Sequence, residues 1–390
     1  MDNPGLLECR IIDDLSALPS HQWDALGGRD EPFLSHAFLC ALERHDCLGS
    51  RFGWYPRHVT LRKPGGELVG ALPLYIKTNN YGEFVFDWAW EQAWRQSGLH
   101  YYPKLVCAVP YTPATGTRLL THPDHDRKAL QQALIQQAIE LTHAGELSGL
   151  HVLFPGDEDM QALQGRGLIP RMGCQYHWHN ENYRDFDDFI DRFSAKKRKN
   201  VRRERRRVRE QGLDIRVLHG DEVSQDLWAV FHHFYVSTFE RKMGIPTLTL
   251  GFFQETARTL GRRVVMFLAE EDDTPVAAAL CYRGGDTLYG RYWGCIRDYD
   301  ALHFETCYYQ GIDYCIQQGL TRFEPGAQGE HKISRGFLPT RTWSGHWITH
   351  PGLRSAVAEF CRREQAAMEA QCKQLMQLSP FRVEDGHHSG

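Results

Sequence analysis

Apolar residues follow two patterns along the chain: helical spacing in some segments and short, mostly apolar runs in others. The segment Arg127–Thr142 carries apolar residues at helical spacing, at positions 130, 134, 135, 138, 139 and 141, which predicts an amphipathic helix. The segments Leu68–Thr78 and Thr274–Arg283 are short and mostly apolar, as expected for buried strands. A helix is also predicted around Leu15–Leu26. The chain therefore reads as an α/β protein with mixed sheets.

The two halves of the chain repeat the same order of hairpin, helix and strand. The strand Glu67–Tyr75 resembles Thr274–Tyr282, and these segments start 274 − 67 = 207 residues apart. The helix and strand that follow are separated by only 304 − 127 = 177 and 321 − 150 = 171 residues. The first half therefore carries an insertion of about 30 residues, for which the aromatic stretch 79–103 is the candidate. The pattern predicts two similar lobes, residues 1–180 and 181–390.

Positive charge is concentrated in one segment. The formal net charge is −4, but residues 196–209 hold ten basic residues and one acid, a local charge of +9, so the other residues sum to −4 − 9 = −13. We predict a basic helix over residues 195–211, with Ser194 as its N-cap, at the start of the second lobe. Two interpretations stay open. The helix either binds an anionic partner, such as RNA or a nucleotide-linked precursor, or is a solvated face balanced by acids elsewhere. The candidate anion-binding residues are Lys199, Arg202, Arg203 and Arg206.

A glycine-rich loop over residues 326–338 carries the strongest candidate chemistry. It brings together an amide, an acid, an imidazole and two cations: Gln328, Glu330, His331, Lys332 and Arg335. Glu330 or His331 would accept a proton from an attacking amine, and the two cations would bind a phosphate or carboxylate. Gln328 would contact substrate. The alternative is an ordinary surface loop with incidental charges.

Further candidates flank the helix that precedes this loop. Tyr292 and His303 are candidate proton donors, and Glu305 is a candidate substrate ligand; the alternative is that Tyr292 and His303 are core residues. The aromatic stretch 84–102 either fills the core or lines a substrate groove. No metal site is predicted, because the histidines at 177, 179, 232 and 233 lack a further ligand at suitable spacing.

Composition narrows the class of protein. Apolar residues make up 42 % and charged residues 24 % of the 390 residues, which is ordinary for a globular protein. The eleven cysteines show no CxxC pair, so we expect reduced thiols. No apolar run reaches the roughly 18 residues that a membrane span needs. Because the N-terminus also lacks a signal-like segment, we expect a cytoplasmic protein.

Two segments resemble a known family. The basic run Ser194–Val208 and the stretch Arg322–Pro339 (RFEPGAQGEHKISRGFLP) are similar to those of FemAB-like proteins, which belong to the GNAT (N-acyltransferase) superfamily and are described as peptidoglycan biosynthesis or recognition proteins. The resemblance implies tandem duplicated GNAT-like lobes. It also implies transfer of an acyl or aminoacyl group, from acyl-CoA or aminoacyl-tRNA, to a primary amine of a peptide, glycopeptide or other small acceptor.

One departure bears on the acyl donor. The GNAT turn that holds the CoA pyrophosphate is rich in glycine, whereas the matching residues 295–303 contain none. FemAB-type enzymes lack that turn and use aminoacyl-tRNA, which would engage the basic helix. Two alternatives stay open beside an aminoacyltransferase: a CoA-dependent N-acetyltransferase, and a non-catalytic module that recognises an anionic glycopeptide or RNA.

Overall fold

The computed structural model describes residues 7–28 and 30–382. In this part of the chain the strands are β1 (Glu8–Ile12), β2 (Trp54–Pro56), β3 (His58–Arg62), β4 (Leu68–Leu72), β5 (Leu74–Lys77), β6 (Lys104–Cys107), β7 (Leu120–Thr121), β8 (Gly149–Leu153), β9 (Ile169–His179), β10 (Leu213–His219), β11 (Val264–Glu271), β12 (Thr274–Arg283), β13 (Thr287–Cys295), β14 (Arg322–Glu324) and β15 (Leu338–Ile348).

The α-helices of the same part are α1 (Ser20–Asp24), α2 (His36–Arg44), α3 (Trp88–Gln96), α4 (Arg127–Ala144), α5 (Asp157–Gly165), α6 (Phe186–Asp191), α7 (Ala195–Glu210), α8 (Gln225–Arg241), α9 (Leu250–Leu260), α10 (Leu302–Phe304), α11 (Gln310–Gln317) and α12 (Pro351–Met376). A π-helical turn, Glu305–Tyr309, joins α10 to α11. A short 3-10 helix, Glu330–Arg335, lies in the glycine-rich loop.

The chain forms two compact units, each built from separate stretches of sequence. Unit 1 consists of Met1–Cys174, Pro246–Gly261 and Arg341–Glu369. Unit 2 consists of Gln175–Ile245, Arg262–Thr340 and Ala370–Gly390. Unit 1 therefore includes most of β15, which comes from the C-terminal half of the sequence. Unit 2 includes the end of β9, which comes from the N-terminal half. The lobe boundary at residues 180 and 181 stays a prediction.

The two units share one order of strand pairing. In unit 1, β5 runs antiparallel to β6, β6 parallel to β8, and β8 antiparallel to β15. In unit 2, β12 runs antiparallel to β13, β13 parallel to β14, and β14 antiparallel to β9. Parallel strands need a crossover, and a helix supplies it in both units: α4 in unit 1 and the α10–α11 helix in unit 2. The predicted duplication of the fold is confirmed.

The crossover helix of unit 1 follows its sequence pattern closely. The Asp126 side chain accepts a hydrogen bond from the Ala129 backbone N–H and so caps α4. Leu130, Leu134 and Ile135 on one face of α4 are buried in a core with the apolar faces of β3, β4, β6 and β8. The unit 2 core is richer in aromatic rings, such as those of Tyr309 and Phe323.

The aromatic insertion lies where the offset between the halves places it. Residues 78–103 separate β5 from β6, whereas only residues 284–286 separate β12 from β13. Trp90, Trp94 and Tyr101 from the insertion are buried in a small core with residues of β15 and α12. Phe84, Phe86 and Trp88 are exposed. Part of the stretch therefore fills a core and part faces solvent, and its role in lining a substrate groove stays a prediction.

The predicted helix over Leu15–Leu26 is wrong in its continuity. The structure has a 3-10 turn, Leu15–Ala17, followed by the separate helix α1. Pro19 explains the interruption, because proline has no N–H to donate and disfavours helical backbone angles at the preceding residue. Leu18 is accordingly extended, with φ −103° and ψ 137°.

Candidate functional site

The parallel strands β13 and β14 of unit 2 diverge after three paired residues. Thr287–Tyr289 pair with Arg322–Glu324, after which β14 ends while β13 continues to Cys295 along β12. The register of β12 and β13 shifts between Gly290 and Tyr292, so β13 bulges where it leaves β14. A Cβ on Gly290 would lie 3.2 Å from the Pro325 Cα, so glycine permits the close approach at this point. Such a divergence of strands opens space for a ligand.

The loop that follows β14 turns a lysine inward at this point. Gly326 and Gly329 adopt positive φ angles of 99° and 115°, which lets the chain reverse into the 3-10 helix. The Lys332 side chain is buried, and Nζ donates a hydrogen bond to the Gly326 carbonyl at 2.7 Å. That is its one hydrogen bond to the described residues, although an ammonium has three N–H donors. Burial lowers the pKa of Lys332 to about 8.

His331 lies on the outer side of the same turn, against the π-helical turn. Its Nε2 lies 2.9 Å from the Tyr308 hydroxyl, within hydrogen-bond distance. Burial and the nearby charges of Lys332 and Arg335 lower the pKa of His331. The imidazole is therefore neutral at pH 7 and has a lone pair that can accept a proton. A π turn is frequent at functional sites, which fits its position here.

His303 and Tyr292 lie near this turn but differ in surroundings. The His303 ring packs against Trp293 and Tyr308, and its centroid lies 6.5 Å from that of His331. Burial, with the positive neighbours, lowers the pKa of His303 to about 4, so it stays neutral. Tyr292 follows the bulge of β13 and is half-buried.

Arg335 connects the loop to the basic helix α7. Its guanidinium lies over the Phe304 ring, 3.4 Å from the centroid, and NH2 donates to Glu204 Oε1 at 2.9 Å. Glu204 is the single acid within residues 196–209, and its other oxygen accepts from the Tyr309 hydroxyl at 2.5 Å. Glu204, which the sequence analysis did not single out, therefore connects the glycine-rich loop to the basic helix within unit 2.

The remaining predicted residues divide between buried and exposed positions. Glu305 is buried; its Oε1 accepts hydrogen bonds from Arg205 and Gln310, and its Oε2 has no partner among the described residues. Glu330 and Gln328 are exposed and make no hydrogen bond to the described residues. The structure therefore brings His303, His331, Lys332, Arg335 and Glu305 around the start of the helix, while Glu330 and Gln328 face solvent. Their roles stay predictions.

About half of the cations on α7 have ion-pair partners. The paired residues are Arg198, Arg202, Arg205, Arg206 and Arg207, whose acidic partners lie on α6, α7, the turn before α10, the π turn and α11. The residues without an ion pair to any described residue are Lys196, Lys197, Lys199, Arg203 and Arg209. Acids therefore balance about half of the charges of the helix, and the binding of an anionic partner by the others stays a prediction. Ser194 occupies the N-cap position of α7, as predicted, but its side chain makes no capping hydrogen bond.

The turn before the helix does not resemble an anion cradle. Asp300 bonds Arg207 through its carboxylate, and its backbone N–H and C=O bond the Gln211 side chain. Asp298 and Asp300 place negative charge beside the N-terminus of this helix, and Ala301 rather than glycine takes the left-handed conformation, with φ 63°. A pyrophosphate would meet like charge here.

A protein-family model matches residues 14–383. Its family is FemAB-like and is described as peptidoglycan biosynthesis/recognition. The chain belongs to the FemAB-like family. None of the curated proteins compared with it gives a significant match.

Solved structures confirm the fold of this FemAB-like chain. The crystal structure of FemX superposes with a TM-score of 0.52 at 13 % identity, covering 90 % of this chain and 100 % of that one. A domain from Agrobacterium fabrum, the C-terminal part of a protein provisionally assigned as a lysylphosphatidylglycerol synthetase, gives 0.52 at 8 % identity, with 88 % and 95 % covered. Together with the repeated strand order, the likeness supports tandem duplicated GNAT-like lobes. No described helix has both the length and the apolar character needed to cross a membrane.

Sequence reasoning missed a buried polar network in unit 1 of the FemAB-like chain. Lys104 Nζ, fully buried, donates to Glu83 Oε2 at 2.8 Å and to Asp87 Oδ2 at 2.5 Å. Burial opposes ionisation of Asp87, but Lys104 outweighs it and holds the pKa of Asp87 below its ordinary value. On the neighbouring strands, the Nδ1 atoms of His151 and His346 lie 2.7 Å apart.

The available signal for this network was weak. Lys104 begins a predicted strand, and both acids lie in the aromatic insertion, where a charged residue is ordinarily taken as exposed. Only the alternation of acids with aromatic residues over 83–88 sets the segment apart: the acids are buried and Phe84, Phe86 and Trp88 are exposed.

Proposed function

We propose that this protein transfers an aminoacyl or related acyl group to a primary amine of a peptide or glycopeptide acceptor of the cell-wall type. The observation that carries the proposal is Lys332, a buried ammonium with two unused N–H donors at the point where β13 and β14 diverge. A protein gains nothing in stability from a half-satisfied buried charge, so a ligand group is the natural partner. The FemAB-like family supports the class of acceptor.

The residues at this point suit acyl transfer to an amine. The amine nitrogen attacks the acyl carbonyl, the new C–N bond forms, the C–O bond to the donor breaks, and the donor oxygen leaves with a proton. Lys332 would donate hydrogen bonds to the carbonyl oxygen as it gains negative charge. His331, neutral at pH 7, would accept the amine proton, with the exposed Glu330 as the alternative acceptor. Tyr292, His303 and Gln328 would line the acceptor path.

Aminoacyl-tRNA fits better than acyl-CoA as the donor. The acids Asp298 and Asp300 and the absence of glycine work against a CoA pyrophosphate at the helix N-terminus. The unpaired Lys199 and Arg203 on α7 are suited to an RNA backbone. This helix also bonds the loop through Glu204, so a tRNA on α7 would lie in the same unit as Lys332. A cytoplasmic location, where aminoacyl-tRNA is found, is part of the proposal.

Transfer from defined donors tests the proposal. The purified chain is incubated with radiolabelled aminoacyl-tRNA, or with acetyl-CoA, and with UDP-linked muropeptides as acceptors, and the labelled product is quantified. We expect transfer from aminoacyl-tRNA and none from acetyl-CoA. Lys332→Met should lower the rate about 10²–10³-fold, as removal of an oxyanion donor does, and His331→Ala about 10²–10⁴-fold. Lys128→Met, an exposed lysine on α4, is the matched control and should keep full activity.

Three outcomes would contradict the proposal or its site. Transfer from acetyl-CoA that depends on Lys332 would replace it by a CoA-dependent N-acetyltransferase. Tight binding of a muropeptide or tRNA with no consumption of any donor would favour the non-catalytic module, which the five unpaired cations of α7 would also serve. Full activity of both variants would move the reaction away from the loop.

A further inference from the structure

We propose that Glu67, His122 and His125 form a binding site for one first-row divalent cation, of the Zn²⁺ and Ni²⁺ class, in unit 1. One ligand atom from each residue, a carboxylate oxygen and two imidazole nitrogens, lies within 4.8 Å of the other two. The proposed transfer reaction does not involve these residues. The inference therefore stands independently of the proposed function.

Backbone hydrogen bonds fix the positions of the three residues, Glu67 at the turn between β3 and β4 and the two histidines after β7. Glu67 closes the turn between β3 and β4, where the Lys63 N–H donates to the Glu67 carbonyl at 3.0 Å. His122 directly follows β7, and its N–H donates to the Val69 carbonyl at 2.9 Å. The His125 N–H in turn donates to the His122 carbonyl at 3.2 Å. The two imidazoles therefore project from one tight turn toward the end of the neighbouring strand.

The side chains already approach a metal-ligand arrangement. His125 Nε2 lies 3.1 Å from Glu67 Oε1, and the two imidazole centroids are 5.2 Å apart. Two ligands bound to one Zn²⁺ at about 2.0–2.1 Å lie roughly 3.3 Å from each other. His122, His125 and Glu67 keep 21 %, 19 % and 48 % of their side chains exposed, which leaves them room to rotate toward a shared ion.

The donor set selects the class of ion. Two imidazole nitrogens and one carboxylate oxygen suit Zn²⁺, Ni²⁺ and Co²⁺, whereas Mg²⁺ and Ca²⁺ prefer oxygen ligands throughout. The competing interactions are weak: Lys63 Nζ lies 3.8 Å from Glu67 Oε2, with both side chains about half-exposed, and the Asp124 N–H donates to His122 Nδ1 at a long 3.4 Å. An exposed ion pair of this kind is worth little, so a coordinated metal displaces it. Asp124, whose Oδ2 lies 3.9 Å from His122 Nδ1, is within reach as a fourth ligand.

A bound ion would link two parts of unit 1. It would join the start of β4 to the segment that leads into α4, across the paired edge of β4 and β7. Since unfolding would break this link, the metal should raise the unfolding temperature, by an amount that grows with the logarithm of its affinity.

Titration of the full chain with Ni²⁺ and Co²⁺ tests the site. After treatment with chelator and under a non-metal-binding reductant, isothermal titration calorimetry should show one equivalent that is lost in the double variant His122→Ala/His125→Ala. Glu67→Gln should weaken binding at least tenfold. His21→Ala, which removes an exposed lone histidine of the same unit, is the matched control and should leave binding unchanged. All of these side chains are exposed or half-exposed, so the variants should fold.

The spectrum of the Co²⁺ form distinguishes this site from the cysteines. Nitrogen and oxygen ligands give visible d–d bands without the near-ultraviolet charge-transfer band of a thiolate, and the eleven cysteines of the chain are free. Loss of the d–d bands in the double variant, together with the loss of a metal-dependent rise in unfolding temperature, would support the site. An unchanged stoichiometry in the double variant, or a thiolate band in place of the d–d signature, would overturn it.

Discussion

Replacement of Lys332 by methionine should stabilise the unliganded protein while it removes activity. The pKa of Lys332 falls from the ordinary 10.5 to about 8 because of burial. A pKa difference of one between folded and unfolded states corresponds to about 1.4 kcal/mol, so keeping this ammonium charged at pH 7 costs about 3 kcal/mol of folding free energy. The hydrogen bond to Gly326 returns about 1.5 kcal/mol. Lys332→Met should therefore raise the free energy of unfolding by about 1–2 kcal/mol.

Lys77 provides the matched control, because it is also buried with a low pKa but is fully bonded. Burial lowers the pKa of Lys77 to about 7. Its Nζ donates to the Phe52 and Tyr81 carbonyls and to Asn79 Oδ1, at 3.2, 3.0 and 3.0 Å. By the same reasoning the pKa of Lys77 corresponds to a cost of about 5 kcal/mol, which its three hydrogen bonds offset at about 1.5 kcal/mol each. Because Lys77→Met also leaves those acceptors unmatched, it should not raise the free energy of unfolding. A rise for Lys332→Met without a rise for Lys77→Met would separate a ligand-binding lysine from a structural one.

Urea unfolding followed by circular dichroism measures both changes, and hydrogen exchange over residues 326–337 localises the effect of the first. The pH dependence supplies a second test. Between pH 8 and 10.5 the unfolded chain binds more protons at Lys332 than the folded protein does, so wild-type stability should rise relative to Lys332→Met. By pH 9.5 the difference in free energy of unfolding between Lys332→Met and wild type should fall to less than half of its value at pH 7. A loss of stability in Lys332→Met, or an advantage independent of pH, would refute the reasoning and make Lys332 a structural residue.

Three further changes test other parts of the molecule. Lys104→Met should lower the free energy of unfolding by about 3–5 kcal/mol at pH 7, because two buried carboxylates lose the ammonium that bonds them both, and acidification to pH 5 should recover part of the loss; a loss below 1 kcal/mol in urea unfolding would speak against a charged network. Gly290→Val should abolish transfer and lower the unfolding temperature, since its side chain would enter the space beside Pro325; normal activity would contradict the position of the site. The double variant Lys199→Glu/Arg203→Glu should weaken tRNA binding and reduce its salt dependence in filter-binding assays; an unchanged salt slope would leave α7 without a role in RNA binding.

The positions of the main helices and strands could be predicted from the sequence because they depend on local patterns of apolar residues. Apolar spacing alone places α4, and the offset between the two halves points to the stretch 79–103 as the insertion, close to residues 78–103, where the structure has it. The prediction of one helix over Leu15–Leu26 was wrong in its continuity because a single residue, Pro19, interrupts the helix in spite of the apolar pattern. Local propensity thus fixes elements, and errors arise where one backbone constraint interrupts them.

The surroundings of the candidate residues could not be predicted in the same way. The sequence identifies Lys332 and Arg335 as cations in one loop, but not that one is left half-bonded while the other bonds Glu204. Those differences come from contacts between residues separated by many positions in the chain. The ten cations on α7 likewise look unbalanced in the sequence, but α6, the turn before α10, the π turn and α11 bring acids to four of them.

The duplicated frame also explains why the two units carry different chemistry. Corresponding places of the repeated strand order hold buried titratable pairs: His151 and His346 face each other at 2.7 Å in unit 1, and His177 Nε2 lies 4.0 Å from Glu324 Oε2 in unit 2. In unit 1 the long connection before the central strand supplies the acids that bond a lysine. In unit 2 that connection is three residues, 284–286, and the loop after β14 supplies Lys332 instead. The strands set where a polar site forms, and the connections decide whether its charges are satisfied internally or left for a ligand. Because connections carry no periodic signal, a site of this kind follows from the folded arrangement and not from the pattern that predicts the fold.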